Sequence, residues 1–527
     1  MAGRVAGTGA ARGAVAAGHP ATAAAAREII EDGGSAFDGA LAAMCAASVA
    51  EPVLASLGGG GFFLAAGPET PAVLYDFFVE TPLGRRPAEE IDFFPIEADF
   101  GPATQEFHIG LGAMATPGFP RGLFEVHRQL GRLPIARILK PAIGLARDGL
   151  VLRANEAFIF QVVAPIYTAS AAARALYCGG EGLLKEGEVL RQPALAETLE
   201  ALAEEGDRLF YEGEIAAALS RFCREAGGQI TEADLGRYAV VRRRPLERGH
   251  RGARILTNPP PSSGGILIAF ALDLLSALTA DPEAFDAPER LADLARVMDL
   301  TDAARLEARL QDALGEAEEE AAMRRLFDPE LMARYRSQVA GRPRAPRGTT
   351  HISVVDAAGN LAAVSLSNGE GCGHLLPGTG IMLNNMLGEE DLNPRGFHAW
   401  PEGVRLASMM APSLALLEDG RIAALGSGGS NRIRTAVLQV LLNLIDFGRP
   451  AARAVAAPRL HVERGQADLE PGFPEAAVDA ARREVATLAA WPKRNLFFGG
   501  VHLAVRGGDG AFEAAGDPRR SGVGVTF

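Results

Sequence analysis

Residues 347–360 read RGTTHISVVDAAGN. The run Ile352-Ser353-Val354-Val355 has the β-branched character of a strand. Ala358-Gly359-Asn360 supplies a turn, and a second apolar run, LAAVSLS (361–367), follows it. Together they predict a β-hairpin whose entrance is Thr349-Thr350. A threonine pair by itself opens an ordinary strand. The alternative is that Thr349 opens a new polypeptide, and the rest of the chain bears on which reading holds.

The chain has 527 residues, 48% of them hydrophobic and 22% charged, the balance of a globular protein. Its length allows several domains, but no Pro-, Gly- or Ser-rich linker marks a boundary. The net charge of −13 argues against a nucleic-acid partner, because phosphate binding wants a basic surface. Cys45, Cys178, Cys223 and Cys372 show neither CxxC spacing nor clustering with histidine. Idle or buried thiols are therefore expected, not a zinc site or a disulfide framework. The N-terminal stretch contains Arg4 and Arg12 and lacks the bounded apolar core of a signal peptide. No run of ~20 apolar residues is present to cross a membrane. The expectation is a soluble, cytoplasmic protein, or a periplasmic or secreted one if translation starts elsewhere.

Helical periodicity dominates the first two thirds. Pro20 suits a first helical turn and Gly33 a stop, and an Ala-rich helix follows over about 36–50. LGGGGFFLAAG (57–67) leads into a strand, with AVLYDFF (72–78) as its partner. PALAETLEALAEEG (193–206) and EIAAALSRFCREAGG (214–228) show helical periodicity, and TNPPPSSGGILIAFALDLLSAL (257–278) reads as a Pro-Ser-Gly loop running into a buried helix. Residues 281–345 read as charged helices, with RLEARLQDALGEAEEEAAMRRL (305–326) as a solvated face. Beyond Arg347 short strands take over: HISVVD, LAAVSLS, GIMLNN, SLALL, RIAALG, VHLAVRG and GAFEAAG. One strong helix, RIRTAVLQVLLNLIDFG (432–448), lies among them. Strands and helices in blocks predict stacked layers instead of an alternating parallel sheet.

Several chemical motifs fail on their context. The glycines at 58–61 precede a strand, whereas a phosphate loop needs a helix N-terminus, so tight backbone packing is expected there. The histidines show no metal-ligand spacing, and there is no GxSxG elbow. Thr349 remains. A threonine hydroxyl needs a base to take its proton, and at a chain terminus its own α-amine is that base. That amine has a pKa of about 7.7–8.0 and is held beside the hydroxyl covalently. The chemistry requires a cut between Gly348 and Thr349, and glycine leaves room for attack on its carbonyl. Downstream, GSGGSNRI (426–433) puts glycines before a long helix. The backbone amides of Gly429 and Ser430 can there meet an oxyanion. SNGEGCG (367–373) and the loop around 380–391 are polar segments of the kind that carry binding groups.

At these residues the chain resembles the γ-glutamyltransferase family (γ-glutamyltranspeptidases, glutathione hydrolases). HPATAAAAREIIEDGGSAFDGALAA, LGGGGFFL, ATPGFPRGL, LKPAIGLARDG, GGQITEADLGRYAV, NPPPSSGG, TTHISVVDAAGN, GIMLNN and APRLHVERG match family segments in the family's order, over almost the whole chain. The resemblance implies an α+β fold, the four-layer αββα sandwich of N-terminal-nucleophile hydrolases. It implies self-cleavage between Gly348 and Thr349 into a large subunit, 1–348, and a small one, 349–527, which stay together as one structural unit. Thr349 becomes the nucleophile and Ser367 supports the new amino terminus. Gly429 and Ser430 provide the oxyanion hole. Ser430 stands where the family has glycine, which a backbone donor tolerates if φ stays negative. The implied reaction cleaves γ-glutamyl amides such as glutathione through a γ-glutamyl-Thr349 ester. The acyl group passes to water, an amino acid or a peptide, with no cofactor, metal, nucleic acid or membrane involved.

The donor pocket departs from the family pattern. Phe78 stands where members have an arginine for the α-carboxylate. Ser408 matches one carboxylate-binding serine, but Met409 replaces the next residue. On the amino-group side Gly369, Met386 and Glu389 align with an asparagine, a glutamine and an aspartate. Glu389 and Glu390 keep an acid there, and Asn368, Glu370, Arg85 and Arg86 are candidate replacements. The loop before ASMMAPS is shorter than in members with a lid. An acylase of the same fold acting on a non-γ-glutamyl amide is therefore an alternative, and a non-catalytic binding relative is another. Intact Gly348-Thr349-Thr350 argues against the latter.

Overall fold

The strand Thr350–Asp356 pairs antiparallel with Leu361–Ser367, Thr350 opposite Leu366 and Val355 opposite Leu361, so the expected hairpin forms. In this computed structural model residues 11–99, 104–180, 182–276, 287–313, 315–338, 349–393 and 395–527 are described. The expected cleavage residue Gly348 lies outside them. Every residue of both hairpin strands is buried, including the polar His351, Ser353 and Asp356 of the first.

The hairpin occupies the middle of a seven-stranded sheet among the described residues. Its order is Val241–Arg243, Thr70–Phe77, Gly60–Gly67, Leu361–Ser367, Thr350–Asp356, Gly13–Ala17 and Val523–Thr526. A six-stranded sheet stacks on it, in the order Leu246–His250, Ala253–Thr257, Ser413–Leu416, Ile422–Gly428, Gly500–Arg506 and Phe512–Ala515. All pairings in both sheets are antiparallel. Helices Pro20–Glu31 and Ala36–Ala50 cover the outer face of the first sheet. Helices Ser263–Leu275 and Arg432–Ile445 cover the second. The result is the αββα arrangement. Both sheets contain strands from before and after residue 349: in the first sheet Gly13–Ala17 lies between Thr350–Asp356 and Val523–Thr526, and in the second Ala253–Thr257 pairs with Ser413–Leu416.

Strand alternation assigns each hairpin residue a side. Ile352 and Val354 pack with Phe37 and Leu41 of the outer helix, whereas Val355 and Ala363 pack with Leu425 of the second sheet. His351 therefore lies between the sheets. Its ring contacts Ser365 Oγ at 2.9 Å and Ser353 Oγ at 3.0 Å, and burial holds its pKa well below the usual imidazole value. It is a neutral core group, not a catalytic base.

The glycines at 58–61 serve close packing, as expected: a Cβ on Gly59 would sit 2.3 Å from the Ser367 carbonyl. Other expectations fail. GIMLNN forms isolated bridges, Leu375 to Met382 and Gly58 to Leu383, and no strand, because its backbone curls around the site. The strands Gly13–Ala17 and Val523–Thr526 and the hairpin Phe94–Asp99/Thr104–Ile109 carry no clear strand pattern. Helices within 288–338 are not simply solvated, since Ala304, Leu310, Ala322 and Leu326 are buried in the core that contains the second sheet. Cys45, Cys223 and Cys372 are buried, Cys178 is half-buried, and all four are free thiols.

Gly426 in the second sheet makes room for His351: an added Cβ would lie 2.3–2.8 Å from three ring atoms. The serine contacts keep the ring from moving away. Gly426→Ala should cost about 1–3 kcal/mol of stability by overpacking, read from urea unfolding. An unchanged unfolding midpoint would contradict this packing.

Candidate active site

Thr349 stands one residue before its strand and is 4% exposed. By alternation it faces the second sheet, as His351 does. Extending the register by one step from Thr350–Leu366 puts Ser367 opposite it. Both residues line a cavity of about 650 Å³ that opens to solvent. Ser367 Oγ accepts the N–H of Gly369 at 3.1 Å, which fixes the serine at the end of its strand. The carbonyl of Thr349 abuts Gly428, where a Cβ would sit 1.7 Å from that oxygen, and only glycine fits. Arg520 Nη1 donates to the same carbonyl at 3.4 Å.

Gly428 ends a strand, Gly429-Ser430-Asn431 turn, and a helix starts at Arg432. This strand–turn–helix aims a helix N-terminus and its partial positive charge at the cavity, which Ser430 and Asn431 line. Asn431 Nδ2 donates to Glu463 Oε1 at 3.0 Å, which anchors the turn. The condition that φ stay negative at Ser430 is not met. Gly429 has φ +124° and Ser430 has φ +45°, so the turn keeps the left-handed backbone that glycine adopts freely. Serine there costs about 1–2 kcal/mol.

On the opposite face of the strand, Thr350 Oγ1 donates to Glu51 Oε2 at 2.6 Å and Thr22 Oγ1 to Glu51 Oε1 at 2.9 Å. Burial raises the Glu51 pKa, and the two hydroxyls pull the other way. Gly18 allows this approach, since its Cβ would lie 2.2 Å from Glu51 Oε2. Glu51, Arg520 and His502 line a second cavity of about 500 Å³ that also reaches Thr349. Burial lowers the Arg520 pKa to about 10, so it stays charged at neutral pH. Sequence reasoning passed over both Glu51 and Arg520. The only signal was an acid closing an otherwise Ala-rich helix.

The donor end is mixed. Ser408 and Glu389 line the first cavity with Phe78, Met386 and Met409. Ser408 Oγ accepts the N–H of Met410 at 3.0 Å. Asn368 is wholly buried behind Ser367, and neither end of its amide finds a hydrogen-bond partner among the described residues. Glu390 is exposed and stands outside the cavity wall. The proposed arginine replacements are engaged elsewhere. Arg85 donates to the Trp400 carbonyl and lies 4.7 Å over its ring. Arg86 holds the carbonyls of Cys223, Arg224 and Gly228 and pairs with Glu90. Arg405, near Phe78 in the fold, is tied to Asp76 at 2.7 Å and Glu80 at 2.9 Å. Among the described residues the cation that lines the cavity is Arg305, with Gln311 close after it in sequence. Both belong to the stretch expected to be a solvated face.

The family profile described as Gamma-glutamyltranspeptidase matches residues 22–527. The chain is 31% identical to the Acylase ACY 1 proenzyme of Pseudomonas sp. strain SE83, over 98% of this chain and 94% of that protein. It is also 31% identical to the glutathione hydrolase proenzyme of Pseudomonas aeruginosa, over 97% and 94%. The crystal structure of a cephalosporin acylase from Bacillus halodurans superposes with a TM-score of 0.84, covering 100% of this chain and 97% of that one at 24% identity. No described helix is long and apolar enough to cross a membrane.

If Ser430 contributes through its backbone, Ser430→Gly should keep amide turnover within about threefold and match or slightly exceed wild-type stability. Ser430→Val, β-branched and strained at positive φ, should lose at least about tenfold in turnover. Equal losses in both variants would assign the role to the hydroxyl.

Proposed function

The chain belongs to the gamma-glutamyltranspeptidase family, and from that premise we propose that it is a self-processing amidohydrolase with Thr349 as its N-terminal nucleophile. The observation that carries this reading is the position of Thr349. It heads a central strand, lines one cavity with Ser367 and Ser430, and touches the glycine end of a strand–turn–helix. Two relatives at 31% identity are named proenzymes, in keeping with a chain that matures by cleavage.

In processing, the Thr349 hydroxyl attacks the Gly348 carbonyl carbon. The Gly348–Thr349 C–N bond breaks, leaving an ester at Thr349 Oγ1 and a free α-amine. Water hydrolyses the ester. The products 1–348 and 349–527 stay together because strands of both are hydrogen-bonded side by side in each sheet. In turnover, the α-amine takes the hydroxyl proton as Oγ1 attacks the substrate amide. The amides of Gly429 and Ser430 receive the oxyanion. The proton passes to the leaving nitrogen, and the C–N bond breaks. Water or an amino acid then attacks the Thr349 ester and releases the acyl group. Ser367 steadies the amine from the neighbouring strand.

For the donor we propose a γ-glutamyl amide of the glutathione class. Glu389 in the cavity wall suits its ammonium group and Ser408 its carboxylate. A second reading, an acylase for another amide, is favoured by one observation: Phe78, the residue that the resemblance aligns with the family's arginine, is 1% exposed and lines the cavity. The acylase relative is as similar as the glutathione hydrolase.

The purified protein should run as two fragments, the smaller beginning T-T-H-I-S by N-terminal sequencing. Thr349→Ala should be folded, uncut and inactive. A soluble, active, uncut wild-type chain would refute the proposal. The rate should rise as the α-amine loses its proton, levelling above pH ~8. Hydrolysis of γ-glutamyl and glutaryl anilides, which differ only by the amine, separates the two donor readings. The first requires preference for the γ-glutamyl compound, and preference for the glutaryl one would promote the acylase reading.

A further inference from the structure

Arg305 is a part-buried guanidinium that faces the cavity of Thr349 and makes no hydrogen bond among the described residues. Its contacts with Asp302 and Glu463 are 3.7 and 3.6 Å, too long for hydrogen bonds. Those carboxylates have other donors. Asp302 accepts from Arg434 at 3.3 Å and Glu463 from Asn431 at 3.0 Å. Arg305 Nε is buried without a partner, and so is Gln311 Oε1 a few residues on. Buried polar groups left unpaired are costly, so two of them in one cavity wall point to a ligand that pairs them.

We propose that Arg305 and Gln311 form the subsite for a carboxylate at the far end of the acyl group. The substrate class is then an amide of a dicarboxylic acid, with one carboxyl acylating Thr349 and the other held by Arg305. The guanidinium offers a planar pair of donors to a carboxylate. Its charge is already balanced by Asp302 and Glu463, so it need not leave an ion pair to bind. Gln311 Oε1 accepts an N–H of the acyl chain, such as the ammonium of a γ-glutamyl group. This supplies from the Pro288–Glu307 helix and its following turn the charge that Phe78 does not. The proposal rests on Thr349 as the acylated residue, and it holds for either donor reading above.

The test is calorimetric binding of glutarate and valerate, which differ by the distal carboxylate, to the purified mature protein. Wild type should bind glutarate at least about tenfold more tightly than valerate. Arg305→Met should abolish that difference, and Arg305→Lys should retain part of it. Equal binding of the two acids to wild type would overturn the proposal without any variant. A glutarate preference that persists in Arg305→Met would overturn it as well. Anilide hydrolysis gives the kinetic counterpart. Arg305→Met should raise KM for glutaryl and γ-glutamyl anilides about 10- to 150-fold, the range expected for a charge-assisted hydrogen bond. Valeryl anilide should change by less than about threefold. Equal loss on all three would mean a structural role and reject the subsite. If Thr349 were not the nucleophile, anilide turnover would survive Thr349→Ala while the glutarate preference stood. The two failures are therefore distinguishable.

Discussion

The carbonyl of Thr349 lies against the α-carbon of Gly428 with no space for a side chain between them. The site depends on that contact. It brings the end of one sheet onto the end of the other, so the head of the central strand meets the turn that starts a helix. On one side of the contact lies the cavity with Ser367, Ser430 and the donor-binding candidates. On the other lies the cavity with Glu51. A bulkier residue at 428 would part the sheets where their separation sets the distance from Thr349 to the turn at Gly429-Ser430.

Buried charge fixes the same junction from behind. Arg459 pairs with Asp517 at 2.6 Å, and Arg519 pairs with Asp517 at 3.2 Å and with Glu470. Asp517 also accepts the N–H of Val501 at 2.9 Å, tying the network to the strand beside Gly428. Such a network contributes little over an apolar core, yet losing one member leaves an unpaired buried charge and costs about 3–5 kcal/mol. The neighbouring Arg520 is held by this scaffold and reaches the Thr349 carbonyl. The network thus links stability of the last strands to the geometry at Thr349.

What could be read from the sequence followed from local pattern. The hairpin at 350–367 has β-branched residues and a glycine turn, and the Arg432–Ile445 helix has strong apolar periodicity. Gly13–Ala17 was missed because GAVAA is mostly alanine, and only pairing with Thr350–Asp356 makes it a strand. Val523–Thr526 was missed for a similar reason, since it is short and lies at a sheet edge. Within the site, Thr349, Ser367, Ser430, Ser408 and Glu389 come together around one cavity. Arg305 was invisible because a charge-rich helix looks solvated all round, and only its packing shows which face turns inward. Arg85 and Arg86 were attractive by proximity in sequence, but backbone carbonyls claim both. The positive φ of Ser430 could not be read from the residue type, because the turn sets that backbone and serine seldom adopts it.

The central claim is that Thr349 carries the acyl group. The direct measurement is peptide mapping by mass spectrometry after rapid acid quench with a slowly turned-over anilide. The account predicts one acyl adduct, on the peptide beginning at Thr349, sensitive to hydroxylamine as an ester is. An adduct on any other residue, or turnover with the Thr349 peptide never modified, would contradict it.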